Sequence, residues 1–308
     1  LISNGIATRT VDLDAIQGLR APFIDGPTVN RDGVVATLFR DFPEPFTAGP
    51  TNTGVFFDFP GIGSRIGGLG CGNNCGTADQ DANVTSQKIG LNNRDFAAVM
   101  ISRFLRCDLL PNPFDRVLLV DPISGSTSTV ADTTTAFFDT FLSGVATSGP
   151  SINDFNRVLF NAQWNAVCAT GGASISSRQD GIFVGDASGE PPTLVFQNNE
   201  AITTQDGREY RVFFSNTGGW YLRSNALSNA GEVVLSALLT ESVSGASTVV
   251  GVVLATPRPG LEPGRPVLPT PANTEPGGPG TGWRFAGSQC VGGVRTAPDV
   301  ARGESGAE

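Results

Sequence analysis

The chain has 308 residues, of which 39% are hydrophobic and only 16% charged, with a net charge of −9. The low charge fraction excludes the usual disordered composition, and the acidity excludes a general nucleic-acid binder, which needs a basic face. There is no histidine and a single lysine, Lys88, so histidine-based nucleophile pairs and histidine-ligated metals are excluded.

Glycine (39) and proline (21) are plentiful, which favours many turns and short strands. No run reaches the roughly 18 apolar residues of a membrane-spanning helix. Leucine at position 1 points to a chain trimmed from a longer polypeptide, with a segment missing before Leu1. In chain order, Gly33–Phe39 and Gly54–Phe59 read as strands, separated by the proline-stiffened loop Asp41–Pro50. The glycine-rich stretch Gly61–Asp81 reads as a long connection leading to the first helix. That helix is expected over Asn92–Cys107, because Phe96, Val99, Met100 and Phe104 fall at helical spacing and Asn93 can cap it. Arg116–Val120 reads as a buried strand and Asp132–Gly144 as a second short helix. Ile152–Cys168 fits either a helix or a strand pair.

From Ala173 to Ala255 the pattern is β, with turn residues between short runs. Asp206-Gly207 suggests a type I′ hairpin and Ser215–Gly219 a second turn. Thr256–Gly282 holds eight prolines and six glycines and is expected to be extended. Trp283 and Phe285 follow it, as an aromatic anchor for an arm docking on this subunit or a neighbour. No repeat of 20–50 residues is visible. The expected architecture is all-β with short helical insertions, an antiparallel jelly-roll β-sandwich over residues 1–255 (insertions around 92–107 and 132–144) and an extended arm over 256–308.

The segment Gly61–Gly76 fails the dinucleotide-loop template, since its glycine spacing is wrong and no helix follows directly. Cys71 and Cys75 form one local pair, too few ligands for structural zinc. Asp79 and Asp81 are weak calcium candidates through hard oxygen ligands, although the loop lacks the glycine and distal glutamate of a calcium-binding loop. With 29 acidic residues, a carboxylate pair for hydrolysis can always be drawn and carries no specific signal. Trp220-Tyr221 could stack on a sugar but fits a half-buried strand better. The Asn-Ala bonds at Asn161, Asn165, Asn225 and Asn229 are as frequent as chance allows.

In organisation the chain resembles the shell domain of small icosahedral viruses, the single-jelly-roll coat proteins of nodaviruses, tombusviruses and bacilladnaviruses. The resemblance rests on the β run Ala173–Ala255, the helix-like insert Asn92–Cys107, the arm Thr256–Val294 and the absence of histidine. It implies a structural, non-enzymatic capsid protein that self-assembles into an icosahedral shell, located in the virion. Its partners would be further copies of itself and packaged viral nucleic acid, held by a basic arm ahead of Leu1. Calcium at subunit interfaces would be its only cofactor. The alternative is a secreted or cell-surface β-sandwich module for adhesion or carbohydrate binding, and a carboxylate-based hydrolase is the third reading.

Overall fold

A computed structural model describes residues 22–41, 52–68, 89–101, 116–133, 138–141, 149–168, 175–203, 207–213, 225–242, 248–257 and 283–286, with short pieces at 2–3, 8–9, 215–216 and 219–220. Every regular element among these residues is a strand, and every ladder is antiparallel. After a small pair, β1 (Ile2–Ser3) and β2 (Thr8–Arg9), come four sheets in series. Sheet I is β3 (Pro22–Val29), β4 (Val35–Asp41), β5 (Asn52–Phe59) and β6 (Gly63–Gly68). Sheet II is β7 (Gly90–Leu91), β8 (Ala97–Ile101), β9 (Arg116–Val120) and β10 (Thr127–Asp132). Sheet III is β11 (Phe138–Phe141), β12 (Ser151–Ile152), β13 (Val158–Cys168), β14 (Ile175–Gly185) and β15 (Thr193–Gln197).

Sheet IV begins with the hairpin β16 (Glu200–Thr203) and β17 (Glu209–Phe213). The small pair β18 (Ser215–Asn216) and β19 (Gly219–Trp220) intervenes. Sheet IV resumes with β20 (Asn225–Leu227), β21 (Val233–Glu241), β22 (Thr248–Pro257) and β23 (Trp283–Ala286). Each sheet is a meander, with neighbouring strands consecutive along the chain except where β11 joins β13 and where β17 joins β21. The described ladders contain none of the long return pairings of a Greek key.

The sheets pack layer on layer. Ala36, Leu38, Val55 and Phe57 of sheet I meet Ala97, Val99, Leu118 and Val120 of sheet II in one core. The opposite face of sheet II (Ala98, Met100, Val117, Leu119) meets Phe160, Trp164 and Phe183 of sheet III in a second. Leu159, Ile182 and Val184 on the far side of sheet III meet Val212, Leu235, Leu239 and Val253 of sheet IV in a third. Side chains alternate between the two faces of a strand, so a sheet covered on both sides needs apolar residues at every position. Ala97–Ile101 and Val117–Val120 have that continuous pattern and are buried throughout where described.

The all-β antiparallel sandwich expected from the sequence is what the protein has, but its helical insertions are corrected. Ala97–Ile101 is the strand β8, and Phe138–Phe141 is β11, paired with β13. The helical spacing of Phe96, Val99 and Met100 came from a strand buried on both faces, in which any periodicity can be found. Residues 102–107, 134–137 and 142–144 lie outside the described set. Asn93 caps no helix and belongs to a hairpin turn. Ile152–Cys168 resolves into β12, a turn and β13. The glycine-rich stretch begins as a strand, β6, paired with β5, and residues 69–81 lie outside the described set.

The Asp206-Gly207 hairpin forms between β16 and β17. Its register, Thr203 opposite Glu209, leaves five residues in the loop rather than the two of a type I′ turn. Ser215–Gly219 makes the expected turn, with Ser215 paired to Trp220. The arm returns to this same chain, since Trp283–Ala286 pairs with Leu254–Pro257 and widens sheet IV.

Candidate functional site: a ladder of asparagine turns

One hairpin of each sheet, β3–β4, β7–β8, β12–β13 and β20–β21, reverses through a five-residue turn of the same pattern. The turns are Asn30–Val34, Asn92–Phe96, Asn153–Arg157 and Ser228–Glu232. In each, the first residue's N–H donates to the fifth residue's carbonyl, and the fourth residue's N–H donates back to the first residue's carbonyl. The fourth residue adopts a left-handed conformation every time, with φ of 81° at Gly33, 68° at Asp95, 62° at Asn156 and 84° at Gly231. Glycine, asparagine and aspartate tolerate this region best, which explains the residue choice.

The asparagine at the first position holds its own turn closed. Asn92 Oδ1 accepts from the N–H groups of Arg94 and Phe96, both at 3.0 Å. Asn30 Oδ1 accepts in the same way from Asp32 and Val34, and Asn153 Oδ1 from Phe155 and Arg157. The other end of each amide crosses to the next sheet. Asn30 Nδ2 donates to the Asn92 carbonyl (3.0 Å), Asn92 Nδ2 to the Asn153 carbonyl (2.9 Å), and Asn153 Nδ2 to the Ser228 carbonyl (3.1 Å). The second proton of two rungs reaches the left-handed residue of the next turn, at Asp95 Oδ1 (2.7 Å) and Asn156 Oδ1 (2.8 Å). A primary amide accepts through Oδ1 while Nδ2 offers two donors at the other end, whereas a carboxylate offers none and a hydroxyl only one. The ladder ends at Ser228, whose Oγ accepts from the Glu232 N–H and donates to the Glu232 carboxylate within its own turn.

A second row runs beside the first. The N–H of Arg31 donates to Asn93 Oδ1, that of Asn93 to Asp154 Oδ1, and that of Asp154 to Asn229 Oδ1. Asn229 Nδ2 also donates to Asp154 Oδ2 at 2.8 Å. The Asn229 amide, then the backbone and side chain of Asn93, hold the Asp154 carboxyl below its ordinary pKa, with Arg31 adding a smaller Coulombic pull. The third residue of each turn (Asp32, Arg94, Phe155, Ala230) points to solvent, and Phe155 is 64% exposed. The buried framework is thus nearly constant while the tips differ.

At the same end of the strands, in the neighbouring hairpins along the other lateral edge of sheets I to III, runs a second series of turns, at Asp58, Asp121 and Asp186, as the pairings Val35 with Asp58, Ala97 with Val120 and Val158 with Gly185 place them. Asp121 closes its turn with the Ile123 N–H (2.8 Å) and the Ser124 hydroxyl (2.9 Å). Slight burial works against ionisation there, but these hydrogen bonds prevail and the Asp121 pKa is lowered. Asp186 accepts from the Ser188 N–H. Beside this turn lies a cleft of about 80 Å³ lined by Arg157, Asp186, Glu190 and Thr193. Small-molecule sites usually occupy about 300–1,000 Å³, so this cleft suits a few waters.

Asp79, Asp81, Cys71, Cys75, Lys88 and Tyr221 lie outside the described residues. Among the described residues, no group of three or more Cys, Asp or Glu is placed to hold a metal ion, and no helix is long and apolar enough to cross a membrane. Of the Asn-Ala pairs, Asn161-Ala162 and Asn165-Ala166 lie in β13, Asn225-Ala226 in β20, and Asn229-Ala230 in the fourth turn. The turns recur at a spacing longer than the 20–50 residues over which no repeat is visible in the sequence. The rungs are separated by 62, 61 and 75 residues. The signal was present as "VNRDG", "LNNRD", "INDFN" and "LSNAG", each followed by an apolar run. No protein-family model matches the chain, and no curated protein matches it.

Proposed function

We propose that the chain is a non-catalytic, surface-exposed binding module, with its asparagine-turn edge as the ligand-facing ridge. The observation that carries this reading is the row of solvent-facing tips, Asp32, Arg94, Phe155 and Ala230, on one hydrogen-bonded framework. Stacked repeats that vary at the tip while keeping the frame form extended binding surfaces. Phe155 offers an aromatic face, and Arg94 and Asn229, both bonded to the adjacent Asp154, add polar groups on the neighbouring turns. This mixture suits stacking and hydrogen bonding to a carbohydrate chain. Affinity electrophoresis through gels containing neutral or acidic polysaccharides tests it. At least one polysaccharide should retard the protein, and Phe155→Ala should weaken retardation about tenfold with an unchanged Tm, the effect of losing ~1.4 kcal/mol of stacking. Equal migration in every gel would refute the reading.

The capsid reading is the second proposal, with further copies of the chain and packaged nucleic acid as its partners and calcium at subunit contacts as its cofactor. Support comes from the antiparallel sandwich class and from the apolar outer face of sheet IV, which a shell contact would cover. Closed particles tens of nanometres across should then appear by electron microscopy. A monodisperse species of 32.0 kDa would exclude a shell.

A further inference from the structure

We infer that a second copy of this chain covers the outer face of sheet IV, the two fourth sheets packing back to back about a two-fold axis. Sheet IV alternates strictly. Val233, Leu235, Ala237 and Leu239 of β21, with Val253 and Ala255 of β22, face sheet III and are buried. The intervening residues Val234, Ser236, Leu238 and Thr240 of β21, with Val252, Leu254 and Thr256 of β22, lie on the other face. Val234 is 38% exposed and Val252 45%. Exposed valines on two adjacent strands, beside the half-buried Leu238 and Leu254, mark an interaction surface.

Among the described residues, the other sheets leave no comparable face. Sheets II and III are buried on both sides. Sheet I buries Val35, Thr37, Phe39 and Phe56 on the side away from sheet II. Sheet-on-sheet stacking is therefore how this chain covers apolar strands, repeated three times, and the outer face of sheet IV continues that arrangement by one layer.

The ladder decides what the next layer is. A fifth unit of the same series would need an amide donor at the first position of the fourth turn. Ser228 has none, and its hydroxyl is engaged with Glu232. The far face of sheet I in another copy is already buried. Among the described residues the remaining complement is sheet IV itself, and a two-fold axis pairs one patch with its own copy. The nine residues of β21 span about 30 Å and four adjacent strands about 20 Å, giving a footprint near 600 Å². That approaches the roughly 800 Å² per partner of a standard interface and fits a dimer that dissociates at low concentration. A dimer would also carry two asparagine ridges, raising avidity for a polymeric ligand.

Sedimentation velocity over a dilution series tests the inference. The unaltered chain should shift from a 32.0 kDa species to one of twice that mass as concentration rises. Val252→Asp should remain a monomer at every concentration, with an unchanged circular dichroism spectrum. Ile123→Asp, at an exposed turn tip of sheet II, should still dimerise. A variant-free check is hydrogen exchange of the peptides spanning β21 and β22, which should slow with concentration. A single 32.0 kDa species throughout, loss of the dimer in Ile123→Asp, or concentration-independent exchange would each overturn it. A closed shell instead of a dimer would also overturn it, while leaving the binding reading to be decided by electrophoresis.

Discussion

Along the asparagine edge every rung crosses from one sheet to the next, whereas along the aspartate edge Asp121 and Asp186 commit their carboxylates to their own turns. The described crossing on that second edge is one exposed bond, from Arg65 Nη1 to the Ile123 carbonyl at 3.3 Å. Both edges reverse the chain with similar economy. They differ in side-chain chemistry, because an amide can close a turn and pass a donor onward while a carboxylate only accepts. The lesson is that sheet-to-sheet registration is concentrated on one edge, beside apolar cores that are themselves non-directional.

The largest effect that would break this comparison is Asn92→Asp. It replaces the donor facing the Asn153 carbonyl and Asn156 Oδ1 with an oxygen, at a site only 3% exposed. A loss of about 3 kcal/mol at neutral pH is expected in chemical denaturation, as a buried acceptor loses its partner and meets a charge. Protonation restores a donor, so the loss should shrink as pH falls. A pH-independent loss would mean that the rung is not the cause.

Gly90→Ala ranks next. A Cβ there would lie 2.6 Å from the Pro150 carbonyl oxygen and 3.1 Å from Ile152 Cγ2, forcing sheets II and III apart beside the rung. About 2 kcal/mol should be lost. Combined with Asn92→Ala, the losses should fall short of their sum, because both changes open the same contact.

Ser228→Ala should cost only about 1 kcal/mol, since its hydroxyl serves one turn and joins no further sheet. Urea denaturation midpoints of this variant and Asn153→Ala would compare the last rung with an internal one, and an equal loss in both would erase the distinction.

The smallest effects belong to titration. Asp154 and Asp121 both have lowered folded pKa values, so each contributes stability above the unfolded aspartate pKa, which is lost as pH falls through the folded value. Asp154→Asn and Asp121→Asn should therefore flatten the stability profile below about pH 4. Glu200 runs the other way. Burial raises its pKa, opposed by the Gln197 N–H, so its charge is a cost at pH 7 and Glu200→Gln should raise Tm there but not in acid. Thermal melts across pH would show either pattern absent.

Much of the class was open to reading in the amino-acid string. Alternation in Val233–Glu241, the turn at Ser215–Gly219 and the strands at 33–39 and 54–59 are local, and local pattern determines them. Strands buried on both faces defeated the same reasoning, because Ala97–Ile101 has no polar alternation to reveal its period. The four turn motifs were also visible, but their kinship was not. A five-residue turn carries little information until its neighbours 61 to 75 positions away are seen to share a carbonyl with it.

By itself, then, the sequence settled the β class, the absence of histidine chemistry and the turn residues that tolerate a left-handed backbone. The tertiary structure alone decided that those turns stack, that the Asn92 and Asn153 amides are buried between sheets, and that sheet IV keeps one apolar side uncovered. Turn conformation follows from contacts within five residues. Stacking depends on which apolar faces meet, and that is known only once the whole chain has folded.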